Sequence, residues 1–216
     1  MRGWAGCFVP CKTLRSRPGP AWMFTSPGSW RKGAPVTYGG CTPNHNRTPM
    51  VIHASKKFTT RLRCQVSAPT RRHIQRGKID CWSADILRAY GVGDCALMMN
   101  DASLSMVVVP LKGVKTFEAF LELFLHRAAR LFSEAGGTLE IRNQTVVVLR
   151  RTDRQLIGTM NDARLHACAE IEGQWSETGS IAWDQVEERL NEIPFSATDY
   201  RPPKDELVRV LASPLY

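Results

Sequence analysis

The sequence predicts an α+β fold, an antiparallel sheet packed by two main helices with short C-terminal helices. Three observations lead there. Residues 81–110 hold alternating and apolar runs of strand length, residues 116–132 repeat apolar positions at steps of three and four, and a β-branched run at 145–149 leads into a second such stretch. Strands grouped first, with helices after them, are the pattern of α+β rather than of a strictly alternating parallel fold.

The domain is expected to begin near Met50. Residues 1–49 carry seven Lys/Arg, no Asp or Glu, seven Pro and seven Gly, with no sustained period. Such a segment buries too little surface to offset its ordering entropy and reads as a disordered basic extension. It reads equally as sequence upstream of the native start at Met50. A transit peptide is the weaker alternative, because Pro and Gly oppose the amphipathic helix those peptides use. Residues 50–216 then form a single α+β domain. The overall charge of +9 is concentrated early: residues 81–216 hold fourteen Lys/Arg against nineteen acids.

From Met50 to Ala54 the chain starts like an edge or first strand. Lys56, Lys57, Arg61, Arg63, Arg71, Arg72, Arg76 and Lys78 follow as the basic cluster of the domain. They are the candidate nucleic-acid-binding residues, since Lys and Arg supply the sequence-independent part of such affinity. No aromatic side chain lies between Phe58 and Trp82 to stack on a base, so a solvated loop is the simpler reading. Trp82, Ala84 and Ile86 alternate with Ser83, Asp85 and Leu87, and the runs 96–99 and 104–109 flank Asn100-Asp101-Ala102-Ser103. Three antiparallel strands in succession are expected there. Thr116 is a helix N-cap before Phe117, Phe120, Leu121, Phe124 and Leu125, whose rings should lie on the sheet. Gly136-Gly137 stops that helix.

Segments 138–141 and 145–149 are expected to pair through a tight turn. Thr152 and Gln155 form a capping-box pattern for the next helix, whose stripe is Leu156, Met160, Ala163, Ala167 and Ile171. Gly158 costs that helix about 1 kcal/mol relative to Ala, which suggests a close backbone approach. A polar loop after Gly173, a helix over 181–191 and a last helix over 204–211 complete the chain.

The polar candidates are Asn161, Asp162, His166 and Glu170. Asp162, His166 and Glu170 share one helix face at i, i+4 and i+8, the spacing that lets carboxylates orient a histidine. No second histidine accompanies them, so no metal is expected, and Asn161-Asp162 reads as a tether to the turn at Asn100-Asp101. Seven scattered cysteines without a Cys-x-x-Cys pair argue for reduced, inert thiols, with no thiol paired by a local signature to His53, His73, His126 or His166. No catalytic, phosphate-loop or dinucleotide motif is present, and no cofactor is expected. No apolar run is long enough to span a membrane.

Met50-Val51-Ile52-His53-Ala54-Ser55-Lys56-Lys57-Phe58, Trp82-x-Ala84, Met99-Asn100-Asp101 and the helix run Leu156-Ile157-Gly158-Thr159-Met160-Asn161-Asp162 together resemble a bacterial family of small cytosolic proteins catalogued only as a domain of unknown function. The resemblance spans residues 50–211 and implies a compact cytoplasmic α+β domain without an assigned activity. The functional expectation is a non-enzymatic binding module with a protein partner. A nucleic-acid-associated accessory or regulator of a mobile element is the alternative, and an enzyme with a His/carboxylate site comes third.

Overall fold

A computed structural model of the chain describes residues 49–68, 79–139 and 145–213. The extension 1–48 lies outside the described residues, as do Arg71, Arg72, Arg76 and Lys78 of the basic cluster and the turn expected at 142–144. The elements run β1 (Met50–Ala54), α1 (Lys56–Leu62), β2 (Cys81–Ala89), β3 (Gly93–Asn100), β4 (Met106–Pro110), α2 (Phe117–Glu134), β5 (Val146–Arg150), α3 (Arg154–Thr178), α4 (Trp183–Leu190), a 3-10 turn (Ser196–Thr198) and α5 (Pro203–Leu211).

The sheet is mixed, not antiparallel throughout, with order β4-β3-β2-β1-β5. β2, β3 and β4 pair antiparallel as expected, with Ala84 opposite Met98 and Leu97 opposite Val108. β1 runs parallel to both β2 and β5, placing Ala54 beside Ala84 on one side and Arg150 on the other. β5 therefore has no hairpin partner in residues 138–139, which are not strand. The parallel choice is tertiary: a β-branched run is buried by either pairing, and the α2 crossover delivers β5 alongside β1.

One face of the sheet carries Met50, Ile52, Trp82, Ala84, Met98, Val107 and Val109 against α1 and α2. Phe120 and Phe124 of α2 are fully buried there, with the Trp82 ring edge-on to Phe124 at 5.0 Å between centroids. α1 replaces the loop expected over residues 56–62. Ser55 caps it by accepting from the Phe58 amide at 3.2 Å, and Phe58 and Leu62, four apart, are its buried face. The opposite face packs Leu87, Cys95, Leu97, Met99, Met106 and Val108 against α3, α4 and Phe195.

α3 is capped by Asp153, whose carboxylate accepts from the Gln155 and Leu156 amides, so the Thr152 capping box is not formed. It continues past Gly173 to Thr178 instead of ending in a loop. Glu172 accepts from the Tyr90 amide at 2.8 Å, and Trp175 lies over Gly91, so the far half of α3 is anchored on the β2–β3 turn. No described helix is long and apolar enough to cross a membrane.

Candidate functional site

β1 and β5 are adjacent parallel strands whose following helices leave on opposite faces. α1 packs with the Phe58 side of the sheet and α3 with the Met160 side. In sheets of this kind ligands usually lie outside the carboxyl ends of two strands whose connections diverge in this way. The side chains at that end are polar although their strands are buried.

Register places them in two rows across β5, β1 and β2 on the α3 face. His53 lies beside Leu149 and Ser83. One pleat further on, Ser55 and Arg151 follow the ends of β1 and β5 and flank Asp85. In the first row His53 Nδ1 and Asp101 Oδ2 are 2.8 Å apart, and Ser83 Oγ donates to Asp101 Oδ1 at 2.7 Å. Asp101 enters from the turn after β3, held by its amide on the Cys81 carbonyl at 2.8 Å. Its carboxylate side chain is 1% exposed, whereas His53 is 17% exposed. With Asp101 ionised, the neutral imidazole carries its proton on Nδ1, and Nε2, which has no partner among the described residues, is an acceptor.

In the second row Ser55 Oγ donates to Asp85 Oδ1 at 2.6 Å, and Arg151 Nη2 donates to Asp85 Oδ2 at 3.1 Å. The Ile86 amide also donates to Oδ1, at 2.8 Å. Arg151 and Asp85 are both 8% exposed, yet Arg151 Nη1 is buried without an acceptor. A guanidinium N–H left without a partner costs far more than a surface one, so this nitrogen is the energetic anomaly of the cluster.

The cluster can orient and accept. Its two serine hydroxyls donate to Asp85 and Asp101, and neither is hydrogen-bonded to His53 Nε2 among the described residues. Burial pushes the Cys95 thiol up to about 12 and likewise raises Cys64 and Cys168. None of Cys64, Cys81, Cys95 and Cys168 is in a disulfide, as the scattered spacing predicts.

The four polar candidates on α3 do not come together. Asn161 and Asp162 are exposed and their side chains make no hydrogen bond among the described residues, while Asn100 and Asp101 are bonded elsewhere, so the expected tether is not formed. His166 stands edge-on to Phe195 at 6.5 Å, and Glu170 accepts from Gln174 and Arg189. Helix spacing put Asp162, His166 and Glu170 on one face, and the sheet is met instead by Met160, Ala163, Ala167 and Ile171. Nor does any described group of His, Cys, Asp and Glu have metal-ligand geometry.

The basic cluster is divided. Lys56, Lys57 and Arg63 are exposed on α1 and its C-cap, but Arg61 is drawn inward, donating to Asp94 and to the Leu111 and Val114 carbonyls. It ties α1 to the end of β4 and is not free for a phosphate. A family model described as Domain of unknown function (DUF6933) matches residues 51–206. No curated protein and no solved structure matches the chain.

Proposed function

Since the chain belongs to the family described as Domain of unknown function (DUF6933), which carries no activity with it, we propose from its own side chains that it is a binding domain for a small oxyanion-bearing molecule. The ligand sits at the carboxyl ends of β1 and β5. The observation that carries this reading is Arg151 Nη1, a buried donor without an acceptor beside a satisfied Asp85. A carboxylate or phosphate oxygen supplies the missing acceptor, and His53 Nε2, one pleat away on the same face, takes a hydroxyl or amide donor of the same ligand. Binding is favoured over catalysis because Ser55 and Ser83 are committed to Asp85 and Asp101. The resemblance to bacterial cytosolic proteins supports a cytoplasmic setting.

The test titrates the full chain with inorganic phosphate, acetate and citrate while following the His53 ring resonances and the thermal midpoint. A ligand at a hundred times its Kd stabilises by about 2.7 kcal/mol. The expected result is a saturable shift of His53 together with a rise in Tm, both lost in Arg151→Lys and in His53→Gln. Either no saturable shift with any probe, or a shift that survives in both variants, overturns the reading.

A further inference from the structure

A second surface, independent of the oxyanion site, lies among the helices. α2, α4 and α5 border an open groove of about 580 Å³. Its floor is apolar: Leu207 is fully buried, Leu131 is half-buried, and Val208 is 49% exposed. Its rim is acidic, with Glu134, Glu188 and Asp205 all exposed on three different helices.

The cations of the groove are already committed. Arg130 pairs with Asp184 and, at 2.7 Å, with Glu187, and Lys204 pairs with Glu192 at 2.7 Å. Glu188 and Asp205 have no ion-pair partner among the described residues, and Glu134 stands 3.5 Å from an Arg130 that two other carboxylates share. With five carboxylates in its lining against Arg130 and Lys204, the last already in the field of Glu188 and Asp205, a groove in acidic excess around an apolar floor selects for its inverse. We infer that this groove docks a cationic amphipathic helical segment of a partner protein, with one or two apolar side chains on Leu131 and Val208, above the buried Leu207, and Lys or Arg residues toward Glu134, Glu188 and Asp205. The volume suits those few side chains and is too small for a whole helix, so the partner helix lies across the opening.

The test measures fluorescence anisotropy of a labelled leucine/lysine amphipathic peptide against the full chain, with its leucine/glutamate counterpart as the charge control. Saturable binding of the cationic peptide alone is expected. Glu188→Lys combined with Asp205→Lys should weaken it at least about tenfold. Glu122→Lys with Glu177→Lys changes net charge equally on exposed positions outside the groove and should leave binding intact. Val208→Asp should abolish it without unfolding the chain, since that side chain is half in solvent. Absence of saturable binding, equal loss from the distant pair, or indifference to Val208→Asp overturns the proposal; the first and last reject the groove, and the second shows general charge attraction.

Discussion

Gly91 is a glycine the fold depends on. Its φ is +76°, and a Cβ built on it would lie 2.1 Å from Trp175 Nε1. Gly158, where the helix propensity alone suggested a close approach, faces open space. The two residues therefore respond oppositely to the same change. Gly158→Ala should stabilise by about 0.8–1 kcal/mol, read as a higher urea midpoint at constant slope. Gly91→Ala should destabilise by more than about 1 kcal/mol, because strained backbone and the displaced indole add. Equal effects would show that Trp175 does not anchor α3. At the same scale, Asp101→Asn removes a carboxylate that both His53 and Ser83 use, so a loss of about 1.5–3 kcal/mol is expected in the same unfolding assay. An unchanged midpoint would mean that the histidine is not held by its neighbour.

At the scale of elements, α4 finishes the sheet. β4 is an edge strand, and edge strands expose unpaired backbone groups. Two side chains of α4 and its C-cap satisfy them. Glu187 Oε1 accepts from the Val108 amide at 2.8 Å, and Asn191 both accepts from the Met106 amide and donates to its carbonyl. Burial pushes the Glu187 carboxyl up, against Arg127, the Val108 amide and Arg130, which hold it down. A raised carboxyl binds its proton more tightly in the folded chain than in the unfolded one. Its contribution is thus fully present below the ordinary glutamate range and is lost as pH rises through the raised folded value. Glu187→Gln keeps an acceptor for Val108 and should flatten that part of the stability-versus-pH curve. A curve of unchanged shape in the variant rejects the assignment. Asn191→Ala leaves both Met106 backbone groups unpaired and should cost about 1–3 kcal/mol for each group stranded from water, measured by the same denaturation.

Across the whole molecule, helices cover both faces of a sheet whose inner strands are β1, β2 and β3 and whose edges are β4 and β5. Native-state hydrogen exchange should be slowest in β1 and β2, where each strand has neighbours on both sides. β5, with one strand neighbour and one backbone bond on its outer side among the described residues, from Ser67 to the Val148 carbonyl, should open at lower cost. Protection of β5 equal to that of β2 would place the stable nucleus elsewhere.

The sequence by itself determined what depends on neighbours near in the chain. The β2–β3–β4 meander follows from apolar runs around an Asn-Asp turn, α2 from Thr116 and its phenylalanine spacing, and α3 from the stripe through Met160 and Ile171. α1 was also legible, in Ser55 followed by Phe58 and Leu62, but its lysines and arginines pointed to a loop. Tertiary structure alone decided the rest. A parallel partner is chosen by a crossover, so the β1–β5 pairing leaves no local mark. The candidate site joins positions distant in sequence: Ser55 and Asp85 are 30 apart, His53 and Asp101 48, and Asp85 and Arg151 66. Its only trace was Ser83 and Asp85 set in an otherwise buried strand. Helical spacing instead singled out Asp162, His166 and Glu170, because periodicity groups residues on a face without saying what that face meets.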